Sequence, residues 1–157
     1  MPLAAPLAEP RTRTIADLVA CGSLEMNADR AGDARAIAAE LPVGTKVYVN
    51  HLPRHSLAQS LSALVALREA GLEPVPHIAA RRVESRLALQ AYLVRAVADA
   101  GVSKALVIGG DTPEPSGPYA DAAAMLRDGL LAECGIREIG LAGYPEGHPS
   151  IAKAALE

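Results

Sequence analysis

Polar side chains recur in this sequence where short apolar runs end. In chain order they are Glu25, Asn50, His51, His77, Asp111, Tyr144, Glu146 and His148. Gly109 and Gly110 precede Asp111, and a glycine pair lets a ligand approach the backbone closely. Carboxylates and imidazoles are the groups that most often transfer protons in enzymes. Each residue alone is explained equally well as a solvated loop residue, but their recurrence after five apolar runs favours one assembled site.

The apolar runs alternate with segments of helical periodicity, which predicts five βα units. The predicted strands are 21–26, 46–50, 73–78, 104–108 and 137–142. Gly71, Gly101 and Gly135 each close a predicted helix before the next strand, because glycine accepts the left-handed conformation found there. Strands that alternate with helices predict a parallel sheet with right-handed crossovers. In the two large architectures of that class, active sites lie at the carboxyl ends of the strands.

The helical segments carry recognisable start signals. They are predicted at 15–19, 31–41, 56–70, 84–100 and 118–134, with another beginning at Pro149. Ser56 and Gln59 form a capping-box pattern.

Proline suits the end of a strand or an irregular strand, so Pro74 and Pro76 weaken the prediction for the third strand. The continuous apolar run 104–108 is typical of a strand that is buried on both faces.

Composition limits the class of protein. Half of the 157 residues are hydrophobic, so the chain can bury a substantial core, and its formal net charge of −3 argues against nucleic-acid binding. No apolar stretch reaches about 20 residues, and residues 1–13 do not resemble a signal peptide. We therefore expect a cytoplasmic protein that does not enter a membrane, with a flexible arm at 1–13 and one domain at 14–157. Cys21 and Cys134 are predicted to be small buried residues.

Several common sites lack their sequence patterns. Neither the dinucleotide fingerprint Gly-x-Gly-x-x-Gly nor a Walker sequence is present, and no serine or cysteine lies in a nucleophile elbow. His51 and His55 are four residues apart but flank Pro53 in a predicted loop, so no metal site is predicted. Glu25 ends an apolar strand, an environment that favours the protonated carboxyl of a general acid. A solvated loop carboxylate is an equally good interpretation of Glu25.

Four motifs together resemble the methylenetetrahydrofolate reductase family. They are Ser23-Leu-Glu25, Pro76-His77, Gly110-Asp-Thr-Pro113, and Tyr144-Pro-Glu-Gly-His-Pro149 after Gly140-Leu-Ala-Gly143. Their order and spacing agree with the family from Ser23 onward, and Tyr-Pro-Glu-x-His-Pro is the most specific motif. The likeness is closest to the shorter, divergent bacterial members.

The resemblance implies a (β/α)8 TIM barrel that binds FAD at its carboxyl rim. It also implies reduction of 5,10-methylenetetrahydrofolate to 5-methyltetrahydrofolate, in which NAD(P)H reduces the flavin and the flavin passes a hydride to the folate. By position, Glu25 matches the family's general acid, and Asp111 matches a carboxylate near flavin and pterin. The positions that contact the cofactor are matched by Asn50, His51, His77, Gly110, Asp111, Tyr144 and His148.

The chain also departs from the family. Met26-Asn-Ala-Asp29 replaces Phe-Phe-Pro-Pro, Asn50-His-Leu52 replaces Thr-Tyr-Gly, and Gly109 replaces an arginine. A full barrel needs eight strands and about 250 residues, so we expect a partial barrel of about five βα units whose open sheet edges favour a homo-oligomer. Two alternatives stay open. One is a folate-binding or demethylation-pathway relative that works without flavin, and the other is a non-catalytic half-barrel that self-associates.

Overall fold

The computed structural model describes residues 15–148 and 151. The strands are β1 (Leu24–Asn27), β2 (Lys46–Asn50), β3 (Glu73–Ala79), β4 (Lys104–Ile108) and β5 (Glu138–Leu141). The α-helices are α1 (Ile15–Ala20), α2 (Ala34–Ala39), α3 (Leu57–Glu69), α4 (Arg86–Ala100), α5 (Ala122–Asp128) and α6 (Leu130–Glu133). Two 3₁₀ helices follow β1 and β3, at Ala28–Asp33 and Ala80–Arg82. The arm predicted at 1–13 and the helix predicted from Pro149 lie outside the described residues.

All five strands lie parallel in one sheet, in the order β1-β2-β3-β4-β5. The predicted parallel sheet with alternating strands and helices is therefore confirmed. The strand order follows the chain, without the reversal that marks a doubly wound sheet. Because parallel strands end at the same edge, the residues that follow β1 to β5 succeed one another along that edge.

One face of the sheet packs on the helices. Val47 and Val49 of β2, Ile78 of β3 and Val107 of β4 point to this face and are fully buried. They join one hydrophobic cluster with four leucines of α3 and α4, namely Leu64, Leu67, Leu89 and Leu93. Full burial of such a side chain contributes about 1.5–3 kcal/mol. This cluster fixes the sheet on the helices and thereby sets where the strand ends lie.

The other face of the sheet is only partly covered. Leu106 and Ile108 of β4 lie on this face and are half-buried, so the expectation that β4 is buried on both faces is wrong. Near the start of β4, the ammonium group of Lys104 lies 3.1 Å from Glu73 and 3.3 Å from Glu138. The face therefore carries charged groups near the amino ends of the strands. Polar and apolar groups are mixed toward the carboxyl ends.

Two prolines lie inside β3, where the sequence predicted an irregular strand. Glu73 N–H donates to Thr45 O on the β2 side, and successive N–H groups of a strand point in alternate directions. The nitrogens of Pro74 and Pro76 therefore point toward β4. The ladder between β3 and β4 begins only at His77. No ladder hydrogen bond is lost at either proline, which is why a central strand tolerates both.

The predicted helix signals at α3 are confirmed. Ser56 Oγ accepts a hydrogen bond from Gln59 N–H at 3.2 Å, and Gln59 Oε1 accepts one from Ser56 N–H at 2.9 Å. Both halves of the capping box are thus present. Gly71, Gly101 and Gly135 have φ angles of 85°, 61° and 97°, which only glycine adopts readily. These three glycines end their helices as the sequence predicts.

Several predicted boundaries are corrected. β1 begins at Leu24 rather than at residue 21, and the helix predicted at 31–41 is divided into the first 3₁₀ helix and α2. α4 begins two residues later than predicted because Ser85 Oγ caps it by accepting from Ala88 N–H at 3.1 Å. The helix predicted from Pro118 begins at Ala122, and left-handed Gly129 divides it into α5 and α6.

The two cysteines are less buried than predicted. Cys21 is exposed, because it lies in the turn between α1 and the late-starting β1, and Cys134 is half-buried. The prediction of two small buried residues is therefore wrong for Cys21. Among residues 15–148 and 151, no helix combines the length and the apolar character needed to cross a membrane.

Candidate functional site

A cavity of about 360 Å³ opens at the carboxyl ends of β1 to β4. It is lined by Glu25, Asn50, His51, Leu52, Pro53, His77, Ala79, Arg82, Ile108, Gly110, Asp111, Thr112 and Pro113. Six of the eight site residues predicted from the sequence are in this lining, namely Glu25, Asn50, His51, His77, Gly110 and Asp111. The parallel sheet thus brings together residues that are up to 86 positions apart (111 − 25).

Asn50 joins the ends of β1 and β2. Its Nδ2 donates to Glu25 Oε1 at 3.2 Å and to Asn27 Oδ1 at 2.5 Å. Asn50 is 7% exposed, whereas the Glu25 side chain reaches the surface. The apolar environment expected around Glu25 is therefore absent, because only alternate residues of β1 face the core. What orients the carboxylate is a hydrogen bond from a buried amide.

His51 is held as a neutral imidazole. Its Nδ1 accepts a hydrogen bond from Ala79 N–H at 3.3 Å, which requires that Nδ1 carry no hydrogen. Burial lowers the pKa of His51 to about 4, and the positive charge of Arg82 adds to this effect. The hydrogen of the neutral ring then resides on Nε2. This nitrogen is the one left to donate to a ligand.

His77 lies between the cavity and the partly covered face of the sheet. Its ring meets that of Tyr48 edge to face, with ring centroids 5.7 Å apart. Burial lowers the pKa of His77, and the nearby negative charge of Glu25 opposes this shift. At neutral pH the lowered pKa leaves both cavity histidines mainly uncharged, so Arg82 is the cationic group of the lining.

Three residues of the lining contain buried polar atoms that have no hydrogen-bond partner among the described residues. The atoms are Asn50 Oδ1, His77 Nε2 and Thr112 Oγ1. A buried polar group without a partner costs about 1–3 kcal/mol. Such groups are rare in folded proteins and are usually matched by bound water or a ligand. Three of them around one cavity give it a set of acceptors and donors for a polar ligand.

Two adjacent arginines brace the loops on either side of the cavity. Arg82 donates to the backbone carbonyls of His51, Pro53 and His55, all in the loop between β2 and α3. Arg81 donates to the carbonyls of Thr112 and Ala120, in the loop between β4 and α5. The sequence predicts no role for these arginines, because backbone acceptors leave no sequence signal. In the sequence they are recognisable as a basic pair after a predicted strand.

The loop that carries Asp111 is closely packed. Gly110 has a φ of 91°, and a Cβ there would lie 3.3 Å from the Ala79 side chain. At Gly117, a Cβ would lie 2.4 Å from the carbonyl oxygens of both Val83 and Glu84. The loop is therefore pressed against the turn that precedes α4. Asp111 itself is exposed at the cavity rim.

Tyr144 and His148 are not brought to the cavity lining. Their rings meet edge to face, with centroids 4.7 Å apart, in the loop that follows β5. Tyr144 is 38% exposed. In the described structure the two rings contact each other. Their predicted contact with a cofactor stays a prediction.

A second hollow of about 420 Å³ lies on the outer surface of α3 and α4, with Glu69 and Arg95 in its lining. It carries no histidine and lies away from the strand ends, so we regard the cavity as the candidate site. No group of three or more His, Cys, Asp or Glu residues within 15–148 and 151 could hold a metal ion. No protein-family model matches the chain.

Proposed function

We propose that this chain is a flavin-dependent reductase of 5,10-methylenetetrahydrofolate, and that its βα units belong to a (β/α)8 barrel. The observation that carries the proposal is the cavity at the carboxyl strand ends, which is lined by Glu25, Asn50, His51, His77 and Asp111. The sequential order of the strands supports the barrel, since each βα unit adds its strand beside the previous one. The four motifs that resemble the reductase family support the reaction.

The residues present fit a planar heterocycle. The pyrimidine edge of a flavin alternates C=O and N–H groups, and the edge of a pterin presents an amino group, an N–H group and a C=O group. Asn50 Oδ1 would accept from such an edge, His51 Nε2–H would donate to it, and Thr112 Oγ1 can do either. At Gly110 the backbone approaches without a side chain, as a planar ligand requires. The neutral histidines match the uncharged ring.

The cavity is large enough for one ring system. Its volume of about 360 Å³ lies near the lower end of the range of about 300–1,000 Å³ that is usual for ligand pockets. When bound, a flavin would supply hydride transfer between NAD(P)H and the folate carbon. The chain's own residues would bind the ring, orient it and keep water from one of its faces.

Glu25 is the residue that we assign to proton transfer. Asn50 fixes one carboxylate oxygen, and the exposed position of the side chain lets the carboxyl exchange its proton with solvent. In this role the protonated carboxyl donates to the folate nitrogen from which the methylene carbon separates. Asp111, on the opposite side of the rim, would orient the pterin by accepting hydrogen bonds from the N–H groups of the pterin.

A folate-binding relative that works without flavin is the second candidate. The observation that favours it is the same cavity volume, because one ring system fits more readily than a flavin and a pterin stacked together. In that case the pterin would occupy the cavity alone. Flavin titration separates the two candidates, since only the first binds both ligands.

The two half-reactions test the assignment of Glu25. We expect Glu25→Gln to keep NADH-dependent reduction of menadione and to lose reduction of the folate, because only the second half-reaction needs the proton. Glu40→Gln, an exposed carboxylate beyond the end of α2, is the matched control and should keep both. Full folate reduction by Glu25→Gln would refute the assignment.

A further inference from the structure

His51 is held from two sides by the end of β3 and the turn that follows it. The backbone N–H of Ala79 donates to the ring at Nδ1, at 3.3 Å, and Arg82 Nη1 donates to the backbone carbonyl of His51, at 2.5 Å. Ala79 ends β3, and Arg82 lies three residues later, at the end of the following 3₁₀ helix. The ring and the backbone of His51 are therefore fixed together by one short segment.

Arg82 secures the whole loop that carries His51. Its Nη2 donates to the carbonyls of Pro53 at 2.8 Å and His55 at 3.3 Å. A planar guanidinium presents several donors in a fixed fork, which an ammonium group cannot reproduce. One side chain thus holds three carbonyls within five residues. Any shift of the guanidinium would move the His51 ring relative to the cavity.

The charges around His51 also oppose a second proton on its ring. Arg82, His55 and His77 all act in this direction, after burial, which is the largest cause of the lowered pKa. Two carboxylates act on these groups in turn. Asp29 is 3.6 Å from His55, and the charge of Glu25 acts on His77. Of the three groups that act on His51, Arg82 is the one with a permanent charge.

We infer that Arg82 is a positioning residue that keeps His51 as a neutral Nε2–H donor, and that this donor binds a ligand that presents a hydrogen-bond acceptor. The acceptor class is a carbonyl oxygen or an unprotonated ring nitrogen. The inference about Arg82 stands on the ligand-free protein. The inference about the ligand rests on the proposed function, because it assumes that a ring binds in the same cavity.

The first test is nitrogen NMR of the His51 ring in the ligand-free protein between pH 3 and pH 8. For the unaltered chain we expect the Nε2–H tautomer and a titration near pH 4. Arg82→Met should move the titration upward from about 4 while leaving it below 6.5, because burial remains. It should also weaken the preference for one tautomer.

Three further variants make this result specific. Arg82→Lys retains the charge but cannot hold three carbonyls, so it should keep the low titration and lose the single tautomer. Arg81→Met removes a guanidinium from the same turn without touching His51 and should leave both signals unchanged. Arg54→Met removes an exposed guanidinium from the same loop and should do the same. Circular dichroism establishes that each variant is folded.

The second test uses riboflavin, an uncharged ring with carbonyl acceptors, followed by its fluorescence. We expect Arg82→Met to weaken binding about tenfold, because the Nε2–H donor is no longer held in position, while Arg54→Met leaves binding unchanged. If neither riboflavin nor FAD binds the unaltered chain, the proposed function fails, and the NMR titration still decides the role of Arg82. If Arg82→Met is folded and its His51 signals match those of the unaltered chain, the inference is wrong.

Discussion

Asn50 Nδ2 lies 3.2 Å from Glu25 Oε1, so a buried amide on β2 sets the position of a carboxylate on β1. The same nitrogen donates to Asn27, which is the register partner of Asn50 in the ladder between the two strands. Both acceptors are oxygens, so the interaction depends on a donor at position 50. The orientation of Glu25 is therefore a property of β2 as much as of β1.

Asn50→Asp replaces this donor with an acceptor that faces two oxygens. We expect it to lower the free energy of unfolding by about 1–3 kcal/mol at pH 7, because hydrogen bonds are lost and like charges meet. The loss should shrink as the pH falls toward 4, where protonation restores a donor. Urea unfolding at several pH values measures this. Asn27→Asp keeps an acceptor for Asn50 and should cost less, and equal costs would contradict the account.

The lowered pKa of His51 makes the stability of the fold depend on pH. Because the pKa falls from 6.5 in the unfolded chain to about 4 in the folded state, the neutral ring contributes stability that is fully present above pH 6.5. This stability is lost as the pH falls and is gone below about pH 4. The shift corresponds to about 3 kcal/mol. His51→Gln should flatten the pH dependence of urea unfolding between pH 4 and pH 6.5, and His148→Gln, outside the cavity lining, should not.

Gly117→Ala tests the close packing of the loop that carries Asp111. The new methyl group would overlap the carbonyl oxygens of Val83 and Glu84, so the loop must move away from the turn before α4. We expect a loss of about 1–3 kcal/mol in thermal unfolding, together with weaker riboflavin binding. Gly32→Ala is the control, since nothing lies within 4 Å of a Cβ there. An unchanged melting temperature for Gly117→Ala would show that the packing is looser than described.

Ser56→Ala removes the cap that begins α3 directly after the His51 loop. Loss of a serine cap costs about 0.5–2 kcal/mol, and in this protein the cap is the hydrogen bond from Gln59 N–H to Ser56 Oγ. Chemical denaturation should show this loss. Ser62→Ala, on the exposed surface of the same helix, should change stability by less than about 0.5 kcal/mol. Similar losses for both serines would argue against a structural role for the capping box.

The sequence predicts positions along the chain better than contacts between side chains. Glu25, Asn50 and Asp111 were found because hydrophobic periodicity locates strand ends, and parallel pairing brings those ends to one edge. The hydrogen bonds from Arg82 to three backbone carbonyls could not be predicted, since every residue type offers the same backbone acceptor. Whether β3 tolerates Pro74 depends on where its ladder with β4 begins. That register could not be predicted from the sequence.

The loop after β5 also shows that the sequence predicts a position along the chain but not its contacts. The motif around Tyr144 and His148 is the most specific in the sequence, and its place after a strand was predicted correctly. All four residues of β5 are exposed, so few packed contacts fix where the following loop lies. Sequence pattern identifies a strand end, whereas the direction in which a loop leaves it depends on packing.

Titration of the purified chain with FAD, followed by visible absorption after gel filtration, is the decisive test of flavin binding. We expect the protein to retain FAD, and Asn50→Asp to retain less because it disturbs both the Glu25 contact and the ring site. The control Glu40→Gln should retain as much as the unaltered chain. A protein that shows no flavin absorption as purified, and none after incubation with FAD, would contradict the proposal that this cavity is a flavin site.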